Sequence, residues 1–139
     1  MTADLLASAV DLASDTGYVF LATADPEGMP HITAAGLMTR CGEHEVALTE
    51  WFCPGTVENL KTNRTAALAV WDARRDVGFQ LLGRLEYIED LAVMDGYAPQ
   101  LEDQKVVPQV EKRLVISIDK VLDFTVAPHC DMPLETAGA

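Results

Sequence analysis

The sequence predicts a mainly β protein: a closed antiparallel barrel of six strands with a few short helices. Three observations lead there. Six strand-like runs follow one another at short spacing, Gly, Pro, Asp and Asn collect between them, and helical periodicity is confined to three places. Those places are the start of the chain, the stretch between the third and fourth runs, and the approach to the last run. A β-sandwich is the competing arrangement of the same parts. A chain of 139 residues has room for one core, so residues 1–139 read as one domain. Its body spans about 17–126, and the tail 128–139 is expected to be loosely held.

Over residues 3–15, Leu5, Leu6, Ala9, Val10, Leu12 and Ala13 form an i, i+3, i+4 stripe, and Gly17 follows where a helix C-cap belongs. Residues 18–24 (YVFLATA) make a first strand, Asp25-Pro26-Glu27-Gly28 is turn chemistry, and residues 30–39 (PHITAAGLMT) return as a second. A third strand covers 45–51 (EVALTEW). Pro54-Gly55 breaks the chain, Thr56 can cap a short helix reaching Asn63, and 66–71 (AALAVW) is the fourth strand. Residues 77–88 (VGFQLLGRLEYI) form a long fifth strand in which Gly78 and Gly83 permit bending or the close approach of another backbone. Alternation along it sets Glu86 on the side opposite Leu85 and Tyr87. Residues 89–112 read as a helix starting near Asp90, a loop, and a turn opening at Pro108. Residues 113–119 (RLVISID) and 121–126 (VLDFTV) supply the last strand or strand pair.

Composition excludes several classes of partner. Twenty-two acidic residues against ten basic ones give a net charge of −12, which repels nucleic acid phosphates and anionic membrane surfaces. No apolar run approaches the roughly 20 residues of a membrane span, and the acidic opening lacks the basic start of a signal peptide, so a cytoplasmic location is expected. Cys41, Cys53 and Cys130 are odd in number and widely spaced, which favours free thiols over a disulfide framework. Cys41 and His44 have a C-x-x-H spacing, but a closed zinc site needs a second pair and none is visible. Paired carboxylates, a Gly-rich phosphate loop and a nucleophile triad are likewise missing from the pattern.

Three words carry a family resemblance: FLATADPEGMPHIT (20–33), ALTEWFCPGTVENLKTN (47–63) running into AALAVWD (66–72), and GFQLLGRLEYIE (78–89). In this order and spacing they resemble the FMN-binding split barrel of the pyridoxamine 5′-phosphate oxidase-like superfamily. The resemblance implies a six-stranded antiparallel Greek-key split barrel that forms a homodimer, with FMN held at the subunit interface and reacting with a small-molecule redox substrate. Isoalloxazine contacts in that family come mainly from strand backbone. The matching positions are Ile32, Thr33, Ala34 and Ala35 on the second strand, and Leu48, Thr49, Glu50 and Trp51 at the end of the third. The phosphate position corresponds to Gly55, Thr56 and Asn59 on the short helix, whose N-terminus offers unpaired N–H groups and a positive dipole end. Family members that hold FMN tightly place Arg or Lys where this chain has Gly55 and Thr56 on the helix and Thr33 and Met38 on the strand. Arg40, Lys61 and Arg64 are the cations nearest in sequence.

Each singled-out residue also has a plainer reading. Thr56 reads equally as a helix cap. His31 at a strand start is an ordinary partly exposed histidine or, less simply, a catalytic one. Trp51 and Trp71 suit a core or a dimer interface as well as a flavin-stacking role, and Cys53 beside Pro54 suits an idle thiol. Two functions therefore stand side by side. One is an FMN-dependent oxidoreductase. The other is a barrel dimer of the same ancestry that has lost tight flavin binding and serves as a ligand-binding, sensor or interaction module.

Overall fold

The stripe of Leu6, Ala9, Leu12 and Ala13 becomes the buried face of helix α1 (Ala3–Thr16) in the computed structural model. The structure describes residues 3–50, 54–94, 109–129 and 131–136. Gly17 ends α1 at φ 87°, and its N–H donates to the Ala13 carbonyl at 2.9 Å, closing the left-handed C-cap that its lack of a Cβ permits. The helix lies against β3 and β5 and supplies one wall of the core.

Strands β1 (Val19–Ala24) and β2 (Pro30–Ala35) form the expected hairpin, Ala24 opposite Pro30 through Val19 opposite Ala35. Asp25 organises the turn. Its carboxylate accepts from Glu27 N at 2.9 Å and Met29 N at 2.8 Å, its carbonyl accepts from Gly28 N, and its own N–H donates to Met29 O. Gly28 takes φ 87° there, the left-handed residue of a bulged hairpin.

The remaining strands are β3 (Leu37–Arg40), β4 (Glu45–Glu50), β5 (Thr65–Asp72), β6 (Val77–Met94), β7 (Gln109–Asp123) and β8 (Pro133–Thr136), with helix α2 (Pro54–Thr62) between β4 and β5. They form one antiparallel sheet in the order β2-β1-β5-β6-β7-β4-β3, with β8 added to β7. The two ends of this path, β2 and β3, are halves of the same segment, residues 30–40, parted at Gly36. The sheet therefore returns on itself through a covalent link, and the second strand expected from sequence is present as two pieces that pair with different neighbours. Inside lie Leu21, Val46, Leu48, Leu68, Leu81, Leu114, Ile116 and Val121, all essentially inaccessible to solvent.

Three expectations change, and one left open is resolved. The helix expected to start near Asp90 is strand: β6 continues to Met94, pairing Glu89 with Arg113 and Asp90 with Lys112. Ion pairs at 3.4 and 2.6 Å join those partners, so cross-strand pairing overrides a local composition that reads as helix. The expected loop and Pro108 turn fall in 95–108, outside the described residues. The last run, expected as one strand or a pair, is the single strand β7: Lys120 continues the ladder with β6 and β8 past an irregularity at Asp119. Part of the tail expected to be loose is β8, where Thr136 and Glu135 pair with Lys120 and Val121. Finally, Glu86 has no partner in the β6–β7 register: Leu85 faces Ile116 and Tyr87 faces Val115, so a bulge breaks the simple alternation and leaves both Glu86 and Tyr87 exposed.

Both glycines of β6 are there for close approach. A Cβ on Gly78 would sit 2.6 Å from the Phe124 carbonyl and 2.7 Å from that of Val70, and one on Gly83 would overlap the Ser117 carbonyl. No helix among the described residues is long and apolar enough to cross a membrane.

Asp76 closes the β5–β6 turn at φ 52°, a left-handed position that Asp tolerates better than most residues. Its carboxylate accepts from Val126 N and Ala127 N, both at 2.8 Å, and from Trp71 Nε1 at 2.9 Å, fastening the segment after β7 to the turn. Trp71 also meets Phe124 edge-on, ring centres 6.4 Å apart, so this tryptophan has a structural task. These hydrogen bonds, led by Val126 N–H, hold the Asp76 pKa below the usual 3.8. A carboxyl depressed in the folded state contributes stability that is complete above the ordinary value and is lost as pH falls through the folded one. Asp76→Asn should therefore flatten the loss of stability below about pH 4, read as the urea midpoint against pH for parent and variant.

Candidate functional site

Pro54 opens α2 within its first turn, where its fixed φ suits the helix and its missing N–H costs nothing. The helix therefore starts before Thr56, which is not its cap. Thr56 lies in the first turn and is fully buried, together with Val57 and Leu60, on the face that docks α2 onto the sheet. Pro54 and Gly55 are the exposed members of that turn. Asn59 donates from Nδ2 to Thr23 Oγ1 at 3.1 Å and ties the helix to the inner face of β1. Thr23 faces His31 in the β1–β2 ladder, and His31 Nε2 lies 3.9 Å from where a Cβ on Gly55 would sit. Gly55, Asn59, Thr23 and His31 thus meet at one end of the barrel.

Strand β2 has a different asset. Among the described residues it pairs only with β1, which leaves its other edge open. The hairpin bond from Asp25 N to Met29 O sets the phase of the ladder: Thr23–His31, Leu21–Thr33 and Val19–Ala35 exchange hydrogen bonds, and the pairs between them do not. The N–H and C=O groups of Ile32 and Ala34 therefore point to the open edge. Their side chains are exposed, Ile32 at 68 % and Phe20 nearby on β1 at 42 %, whereas Thr33 and Ala35 turn inward. Of the four β2 positions singled out from sequence, two present free backbone and two pack.

The β4 positions offer less. Leu48 is a core side chain with no exposure, and its backbone is in ladders on both sides, opposite Met38 and Leu114. Thr49 is likewise held between Leu37 and Arg113. The backbone of Glu50 pairs with Lys112, while its side chain and the whole of Trp51 lie outside the described residues, as does Cys53. Alternation alone marks Leu48 as inward-facing in the sequence; the double pairing of β4 depends on β7, more than sixty residues away.

The cations nearest in sequence are engaged elsewhere. Arg40 donates to the carbonyls of Gly42 and Glu43 in the β3–β4 turn, at 2.9 and 2.7 Å. Arg64 donates to those of Leu85 and Glu86 on β6, at 2.9 and 3.0 Å. Lys61 sits in the last turn of α2, 3.6 Å from Glu58. Burial, with Glu45 adding to it against Arg113, pushes the Cys41 thiol up and away from thiolate chemistry. Among the described residues no three His, Cys, Asp or Glu side chains gather into a metal-holding group.

A surface groove of about 460 Å³ runs where β1 and β5 separate beyond Ala22 and Ala67, over Ala24, Thr65 and Gly83. None of the described positions among the eleven singled out from sequence lines it. The open edge of β2 and the first turn of α2 instead form an uncovered flank in a single chain.

The family model for pyridoxamine 5′-phosphate oxidase matches residues 6–122. No curated protein sequence matches the chain. Solved structures with the same fold include an FMN-binding protein from Syntrophomonas wolfei subsp. wolfei, with TM-score 0.62, 19% identity, and 88% of this chain and 87% of that one covered. Another is a pyridoxamine 5′-phosphate oxidase-related, FMN-binding protein from Nostoc punctiforme, with TM-score 0.61, 13% identity, and coverage of 89% and 84%. A third, from Clostridium acetobutylicum, is related to general stress protein 26 of B. subtilis in the pyridoxinephosphate oxidase family; its TM-score is 0.62, its identity 18%, and coverage is 96% and 97%.

The Asn59–Thr23 bond positions α2, and its strength is measurable. Asn59→Ala and Thr23→Val should each lower stability by about 1 kcal/mol, and the double variant should lose less than the sum, since the bond is removed only once. Urea denaturation of the four proteins completes the cycle.

Proposed function

Because the chain belongs to the pyridoxamine 5′-phosphate oxidase family, we propose that it binds FMN between the open edge of β2 and the first turn of α2, as an FMN-dependent oxidoreductase. The observation that carries this is the unpaired edge of β2. Free N–H and C=O groups on Ile32 and Ala34 suit the alternating donors and acceptors along the edge of an isoalloxazine ring. The inward-packed Thr33 and Ala35 and the doubly paired Leu48 and Thr49 fix the geometry of that edge, and Glu50 ends β4 on the α2 side in sequence. At the other end of the slot, the first turn of α2 supplies orphan N–H groups and the positive end of a helix dipole for the phosphate, with Gly55 leaving room for it.

Bound flavin supplies the redox chemistry, and the protein supplies the slot, the orientation and the electrostatic setting. A net charge of −12 favours a neutral or cationic small-molecule substrate over a polyanionic one. A second copy of the chain covers the flank. Phe20, Ile32 and Ala34 are exposed on one face of the β1–β2 hairpin, and a single barrel does not enclose a ring there. The homodimer works in the cytoplasm. The second reading, a dimer without tight flavin binding, draws on the engagement of Arg40, Arg64 and Lys61 elsewhere.

Gly55 has ordinary backbone and nothing closer than 3.9 Å around a Cβ, so Gly55→Lys adds a cation without strain. Fluorescence-quenching titrations should show FMN binding tightened by up to about 10- to 150-fold, less where water screens the lysine, while riboflavin, which lacks the phosphate, barely changes. Absence of saturable flavin binding by the parent would favour the non-flavin module. Ile32→Glu should turn a dimer into a monomer by light scattering and weaken FMN in parallel; a parent that binds FMN as a monomer would sink the shared site.

A further inference from the structure

At the phosphate end of the slot proposed above, Gly55 and Thr56 stand where relatives with tight binding carry cations, and a histidine lies beside them. His31 stands on β2 with Nε2 3.9 Å from the place of a Cβ on Gly55, against the exposed first turn of α2. Its other ring nitrogen, Nδ1, is buried and has no hydrogen-bond partner. These two facts fix what the ring can offer. A buried N–H without an acceptor is rarer and costlier than a buried acceptor without a donor, so the neutral ring carries its proton on Nε2. That proton points to the same exposed corner as the orphan N–H groups of α2.

We infer that His31 donates from Nε2 to the phosphate of a bound flavin nucleotide at the first turn of α2, in the role that Arg or Lys fills elsewhere in the family. The assignment rests on the FMN binding proposed above. A Cβ at residue 55 would meet Nε2 at ordinary van der Waals distance, so the ring and the start of α2 are direct neighbours. His44 also has a buried Nδ1 without a partner, but it stands in the β3–β4 turn, away from a helix terminus. The Thr23–Asn59 bond, one ladder position across from His31, holds helix and strand together so that ring and helix face the same ligand atom. His31 is therefore a ligand of the phosphate and not of the isoalloxazine ring, and its effect must depend on whether the flavin has a phosphate.

The test is the preference for FMN over riboflavin in full-length parent, His31→Leu and His31→Gln, with thermal midpoints to establish folding. The parent should prefer FMN. In His31→Leu the FMN dissociation constant should rise about 10-fold or more while riboflavin stays within about twofold, and His31→Gln, which keeps an N–H donor, should recover part of the preference. On the parent itself, the nitrogen-15 signal of His31 Nε2 should shift with FMN and not with riboflavin, a readout that a packing role would leave unmoved. Equal losses of both flavins in His31→Leu, or an Nε2 signal indifferent to the phosphate, would overturn the assignment while leaving flavin binding intact. A parent that binds neither flavin would overturn the flavin proposal and this one with it.

Discussion

Residues 30–40 are one chain segment with two sets of partners, and the break at Gly36 governs the molecule. Before it, β2 pairs with β1; after it, β3 pairs with β4. Since β1 and β4 belong to opposite ends of the ladder path, this single segment closes the sheet without a last row of hydrogen bonds. Closure by covalent connection has a consequence that closure by pairing would lack: the far edge of β2 keeps its backbone groups. An edge of this kind is an association hazard unless something covers it. Here the exposed apolar residues Phe20 and Ile32 lie beside it, so the cover needs to be apolar as well as hydrogen bonding.

The position of α2 follows from the same closure. The helix docks on β1 and β2 by burying Thr56, Val57 and Leu60 and by a polar tie from Asn59 to Thr23. Its N-terminal turn is thereby held beside the strand that has the open edge. Charge is distributed in a way that sharpens the corner: arginines and lysines close in sequence cap carbonyls of neighbouring turns and strands or pair along the helix, in a chain whose net charge is −12. What the first turn of α2 itself offers is helix N–H groups, whose dipole acts only at short range.

Away from that corner, the structure is stiffened by backbone packing. Gly78 and Gly83 let β6 lie against the carbonyls of Val70, Phe124 and Ser117, and the bulges between β6 and β7 increase the coiling that a small closed sheet needs. Asp76 then fastens the segment after β7 to the β5–β6 turn through two hydrogen bonds, while a third ties it to Trp71 on β5.

Local patterns determined much of this by themselves. The stripe of α1 and its Gly17 cap, the first strand, the Asp25–Gly28 turn and the two glycines of β6 are readable because each depends on neighbours within a few residues. The order of three short words also carried the family. Tertiary structure alone decided the rest. Residues 89–94 read as helix until Arg113 and Lys112 pair with them, the tail becomes a strand only because β7 offers an edge, and Thr56 leaves the cap position because burial turns it inward. His31 gave no sign in the sequence beyond being a histidine at a strand start. Its place beside Gly55 requires β2 and α2, separated by β3 and β4, to meet through the closed sheet, and contacts between residues so far apart in the chain leave no periodicity to read.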